Sequence, residues 1–96
     1  MDPLHPTENE IVGKYEHVAG RIRGNYACNR IQWLIMNVLV RIGSSTDGWD
    51  TLYRDPGDNR LWELLYPQGH MQGGGPPTLR QISGSEAQAK YDLDRA

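Results

Sequence analysis

The residues in this sequence best equipped for chemistry are one cysteine, three histidines and a run of carboxylates between positions 47 and 63. A catalytic thiol needs a neighbouring base and surroundings that lower its pKa. Cys28, in Tyr26-Ala27-Cys28-Asn29-Arg30, has no such base in its local sequence. It reads as a small packed residue in the first turn of a helix, where the helix dipole favours a thiolate only slightly. His5, His17 and His70 share no metal-ligand spacing with each other or with Cys28, so no zinc site is indicated. Gly73-Gly74-Gly75 runs into Pro76 and Pro77, whereas a phosphate-binding loop continues with Lys and Ser/Thr into a helix. Glycines there suit a loop that crosses close over another backbone. His70 beside this loop supports the alternative reading, a small enzyme or ligand-binding domain. Asp50 and Glu63 fall where they face one another across a hairpin, as the paired acids of a glycosidase do. Five acids with Arg54 and Arg60 on one hairpin read better as surface electrostatics. The expectation is a protein with no catalytic residue, metal or cofactor.

The elements that position these residues follow from patterning. Ninety-six residues, 38% of them hydrophobic, fit one domain with one small core. Residues 1–7 read as a mobile tail, 8–91 as a single α+β domain and 92–96 as a C-terminal tail. Thr7 and Glu10 stand in a capping-box relation that predicts a short helical turn at Ile11 and Val12, ended by Gly13. A strand over Tyr15–Ala19 turns at Ala19-Gly20 into Arg21-Ile22-Arg23. Ala27, Ile31, Leu34, Ile35 and Val38 form the apolar stripe of the main helix, at about 25–37, with Asn25 as its N-cap. Strands follow over Val38–Ile42, Trp49–Arg54, Leu61–Tyr66 and Thr78–Ile82. Asp55-Pro56-Gly57-Asp58-Asn59 is the dense turn of a β-hairpin between the second and third of these. Ser83 or Ser85 caps a last helical segment over Glu86–Tyr91. The sum is a small antiparallel sheet of four to five strands packed on one main helix, with short terminal helical segments.

Charge is laid out unevenly. The net charge is −2, but residues 14–46 carry +4 and residues 47–63 carry −3. The total argues against non-specific nucleic-acid binding. An RNA-binding module using Arg21, Arg23, Arg30 and Arg41 is the third-ranked reading, and it needs exposed aromatics beside those arginines. The longest apolar run, broken at Asn37, is far short of a membrane span. The N-terminus lacks the pattern of a signal peptide, and a single cysteine excludes an internal disulfide. A reduced, cytoplasmic location is expected.

The most specific signal is a sequence of motifs in order. Arg30-Ile31-Gln32-Trp33-Leu34 precedes Gly48-Trp49-Asp50-Thr51-Leu52-Tyr53-Arg54-Asp55-Pro56; Leu61-Trp62-Glu63-Leu64 and Tyr66-Pro67 follow, then Gly73-Gly74-Gly75-Pro76-Pro77 and Leu79. Over roughly residues 28–83 this resembles the immunity protein 27 family of small bacterial proteins, which protect their host from polymorphic toxins. The resemblance implies a non-enzymatic protein that docks on a cognate toxin and blocks it stoichiometrically. Immunity proteins against nucleases commonly present acids to a basic cleft, and such complementarity speeds encounter. The expected face is therefore Asp47, Asp50, Asp55, Asp58 and Glu63, with Trp49 or Tyr53 as a buried anchor. At least half of Trp49, Tyr53, Trp62 and Tyr66 are expected to be structural, because one strand face must be buried.

Overall fold

The computed structural model describes residues 1–68 and 75–91. His70, Gly73 and Gly74, and with them the readings placed on that loop, lie outside the described residues, as do residues 92–96. The chain forms an α+β fold whose main sheet has five antiparallel strands: β1 (Glu10–Val12), β4 (Val40–Ser44), β5 (Thr51–Arg54), β6 (Leu61–Leu65) and β7 (Thr78–Ile82). Their order across the sheet is β1-β7-β6-β5-β4, which leaves β1 and β4 at the edges. A separate two-stranded ribbon pairs β2 (Tyr15–Val18) with β3 (Arg21–Gly24). The helices are α1 (Tyr26–Asn37) and α2 (Gly84–Tyr91).

The two helices cover opposite faces of the sheet, and strand alternation decides which residues each covers. On the α1 side, Ile11, Tyr53, Trp62, Leu64 and Leu79 form the main core with Ile31, Leu34 and Leu39. On the other side Leu52 and Ile82 pack with Ala87 and Tyr91 of α2. The apolar stripe of α1 places Ile31 and Leu34 almost completely out of water, and each such side chain contributes about 1.5–3 kcal/mol. Asn25 caps the helix as expected, its Oδ1 accepting from the Cys28 amide at 3.1 Å. At the far end the Val38 and Leu39 amides both bond to the Leu34 carbonyl. That closure takes Val38 out of the strand predicted over Val38–Ile42, turns Leu39 into the core and delays β4 to Val40.

Two further expectations are corrected. Ile11 and Val12 form a strand, not a helical turn: β1 pairs antiparallel with β7, matching Ile11 to Leu79. Gly13 leaves too few residues to nucleate a helix, whereas the edge of β7 offers hydrogen bonds at once. Trp49 and Asp50 belong to the β4–β5 loop, and β5 begins only at Thr51. The β5–β6 hairpin itself forms as predicted, with Arg54 opposite Leu61 and Tyr53 opposite Trp62.

Residues 1–9, the first seven of them read as a tail, are laid against the body. Leu4 is buried in the main core. The Arg30 guanidinium bonds both oxygens of Glu8, at 2.6 and 2.7 Å, and the carbonyls of Asp2 and Pro3. Arg60, stacked 4.9 Å from the centre of the Trp62 ring, reaches the carbonyls of Glu8 and His5. Neither arginine shows this role by its sequence position.

Candidate functional site

The acids of the predicted face have quite different fates. Glu63 is fully buried on the α2 side. Its carboxylate accepts from Arg80 Nε at 2.6 Å, Lys90 Nζ at 3.0 Å and the Tyr91 hydroxyl at 3.0 Å. Burial alone pushes the Glu63 carboxyl up, but these three donors outweigh it and hold it ionised, below its ordinary value. Burial and the adjacent carboxylate push the Tyr91 hydroxyl far up, so it remains a donor. Asp55 is also buried and accepts from the Gly57 amide at 2.8 Å, an Asx turn that shapes the hairpin bend. Asp58 is exposed but is bound by the Arg60 backbone amide and guanidinium, which lower its pKa. Tyr53 is buried in the main core. Glu63, Asp55 and Tyr53 are thus corrected from partner contacts to parts of the fold.

Asp50 and Glu63 do converge, but on a cation. Lys90 Nζ lies 2.8 Å from Asp50 and 3.0 Å from Glu63. The Lys90 ammonium thus links the two carboxylates as a structural ion-pair bridge between β6, α2 and the β4–β5 loop. Burial lowers the Lys90 pKa, yet the two carboxylates more than reverse that, and the net shift is upward.

What remains on the surface is the β4–β5 loop. Asp47 is exposed, and its Oδ1 accepts from the Ser45 hydroxyl and, at 3.0 Å, from the Trp49 amide. The Ser45 hydroxyl also accepts from the Asp50 amide at 3.1 Å, and the Ser45 amide donates to the Asp50 carbonyl at 2.9 Å. Gly48 takes φ +78°, a conformation that glycine adopts without steric cost. This lattice turns the Trp49 indole outward, 63% exposed. The Ser45 hydroxyl and the Trp49 amide hold the Asp47 carboxyl below its usual range. Among the described residues of the 47–63 stretch, Asp47 is the one exposed carboxylate outside any ion pair. Val40 and Ile42 of the neighbouring edge strand are exposed as well.

The arginines of the RNA-binding reading do not form one face. Arg30 is engaged with Glu8 and the N-terminal carbonyls, Arg41 bonds Ser44 on β4, and only Arg21 and Arg23 share the β2–β3 ribbon. Cys28 donates its thiol hydrogen to the Lys14 carbonyl at 3.4 Å and tethers the ribbon base. Among the described residues no three His, Cys, Asp or Glu side chains come close enough to hold a metal ion, and no helix is long and apolar enough to cross a membrane. Gly75, at φ +71°, passes the Gln68 backbone so closely that a Cβ would sit 2.7 Å from its carbonyl oxygen. Pro76 is buried, and the Pro77 carbonyl accepts from the Gly13 amide at 2.8 Å. The described end of the glycine–proline loop is therefore a backbone crossing that braces the sheet.

Sequence reasoning passed over Lys90, whose place on a short terminal helix gave no hint of two partners far away in the chain. It touched the ribbon as a surface only through Arg21 and Arg23 of the RNA-binding reading, although the excess of positive charge over residues 14–46 marked that stretch. Among curated proteins and among solved structures, none matches the chain significantly. The model of one family, immunity protein 27, matches residues 17–83. That span takes in most of the ribbon, all of α1 and every strand of the main sheet except β1. With well over half its length matched, and with the resembling motifs lying on α1, β5, β6 and the loop into β7, the chain belongs to the immunity protein 27 family.

Proposed function

We propose that this protein neutralises a cognate bacterial toxin by stoichiometric binding, and that Trp49 and Asp47 on the β4–β5 loop form part of the docking surface. Membership of the family supports the class of function. The observation that carries the surface is Trp49, a large aromatic side chain left in water on a loop whose backbone is braced through Ser45 and Asp47. Aromatic anchors dominate binding energies at protein interfaces. A loop already held in one conformation loses little entropy when a partner covers it. Asp47 adds a fixed negative charge at the rim, where it favours encounter with a cationic partner more than it adds affinity. A nuclease with a basic surface is one toxin class that Asp47 suits; the other acids of the stretch are engaged within the chain or buried.

In this reading the protein acts in the cytoplasm of the cell it protects, by occupancy and without catalysis. Co-expression with the toxin encoded beside its gene tests it. Growth should be restored by the wild-type chain, and a 1:1 complex should be recovered. Unchanged killing with both proteins present at comparable levels would remove the reading for that pair.

A further inference from the structure

The β2–β3 ribbon is well formed and yet buries almost nothing. Every residue from Tyr15 to Arg23 is exposed except the half-buried Glu16. A two-stranded ribbon is marginal alone in water, so what holds this one is local. Ala19 and Gly20 both take positive φ, +52° and +78°, the geometry of the two-residue turns that match strand twist. At the base Asn25 closes the ribbon: its amide donates to the Lys14 carbonyl at 2.9 Å, and its Oδ1 accepts from the Lys14 amide at 3.2 Å. The same Oδ1 caps α1. The ribbon is thus anchored firmly at one end and free along its length.

Its two sides differ. The cross-strand pairs Glu16–Arg23 and Val18–Arg21 lie on one side, and Tyr15–Gly24 and His17–Ile22 on the other. Arg23 pairs with Glu16 at 3.1 Å, while Lys14 and Arg21 have no ion-pair partner among the described residues. Ile22 is 64% exposed and Tyr15 41%. One side is therefore cationic around Val18, and the other carries an aliphatic and an aromatic side chain in open water.

We infer that this ribbon is a second docking element, and that it takes an acidic, partly apolar surface of the toxin. The inference rests on the toxin-binding reading and assigns the partner's chemistry at a place separate from Trp49. The unpaired cations Lys14 and Arg21 call for carboxylates opposite them, and Ile22 with Tyr15 calls for an apolar neighbour. A protein surface meets both needs. A nucleic acid meets them less well: Glu16 sits among the cations and repels phosphate, and beside Ile22 and Val18 only Tyr15 of the ribbon strands offers a base a stacking face, on the side away from Arg21 and Arg23.

The test uses the whole chain, catalytically inactivated toxin from the adjacent gene, and a single-stranded oligouridylate as a second probe. Titration calorimetry of the wild type, of Lys14→Glu/Arg21→Glu and of Ile22→Asp would be run at low and high salt. All of these positions are exposed and leave the Glu16–Arg23 pair intact, so circular dichroism and the melting temperature should not change. Each variant should weaken toxin binding by about tenfold or more, and the double charge reversal should also flatten the salt dependence. Wild-type binding with no loss in either variant would overturn the ribbon inference and leave the toxin-binding reading in place. Tighter binding by the double reversal would overturn it too, as would oligouridylate binding that the reversal abolishes. Absence of wild-type binding to the toxin would remove both readings for that pair.

Discussion

Lys90 ties three parts of the molecule with one ammonium group. It sits in α2, bonds the buried Glu63 of β6, and pins Asp50 at the base of the loop that displays Trp49. Glu63→Gln keeps the shape but removes the charge that Arg80 and Lys90 share. Breaking one partner of a buried ion pair costs about 3–5 kcal/mol when the other is left buried. Here both cations are partly exposed, at 42% and 37%, and water can recover them, so a loss of about 2 kcal/mol in urea unfolding is expected. Acid should act on the same groups. Paired with Arg30, Glu8 is held down at about 2, against an ordinary 4.5, and Glu63 is likewise lowered. A carboxylate whose folded pKa is depressed contributes stability that is complete above its unfolded value and is lost as pH falls through the folded one. The urea midpoint should therefore fall between about pH 5 and about pH 2, and Glu8→Gln should flatten part of that fall. An unchanged acid profile in Glu8→Gln would dissociate the N-terminal clasp from acid stability. Sequence placed the acids along the chain but not their burial, because Glu63 is a carboxylate on a strand face that it shares with Leu61 and Leu65, and a lone acid between two leucines does not say what covers that face. Only the presence of α2 on that face buries the carboxylate.

Asn25 and Ala19 control the ribbon as an element. Asn25→Ala removes the α1 cap and the side-chain bond to the Lys14 amide together, and a loss of about 1–2 kcal/mol in global stability is expected. Ala19 sits at φ +52°, where a β-carbon costs about 1–2 kcal/mol. Ala19→Gly should relieve that strain and slow hydrogen exchange of the ribbon amides; faster exchange would mean that the turn is not of the kind described. Elements of this fold were legible where local chemistry specifies them alone. The five turn residues Asp55 to Asn59 between two alternating runs specify the β5–β6 hairpin, and the stripe from Ala27 to Val38 with Asn25 before it specifies α1. The three residues of β1 carry no such signal; their state is set by the open edge of β7, which is distant in sequence. The start of β4 was likewise hidden, since a β-branched Val38 fits a helix cap as well as a strand when Leu34 offers its carbonyl to two amides.

At the scale of the whole molecule, a net charge of −2 conceals a rearrangement that folding brings about. The acidic stretch is spent largely on turns, on Arg60 and on Lys90, and among the described residues the charges without an ion-pair partner include Asp47 on one loop and Lys14 and Arg21 on the ribbon. The α+β class was readable from patterning and the family from motif order; the proposed docking surface was not, because it depends on which charges the fold neutralises. On the proposed reading, Trp49 is displayed for a partner and contributes little to the fold. Titration calorimetry of the wild type and Trp49→Ala against the inactivated toxin separates these two roles. The wild type should bind 1:1, and Trp49→Ala should bind at least about tenfold more weakly, with its melting temperature preserved. Equal affinity for both chains, or a Trp49→Ala protein that has lost stability along with binding, would contradict the assignment.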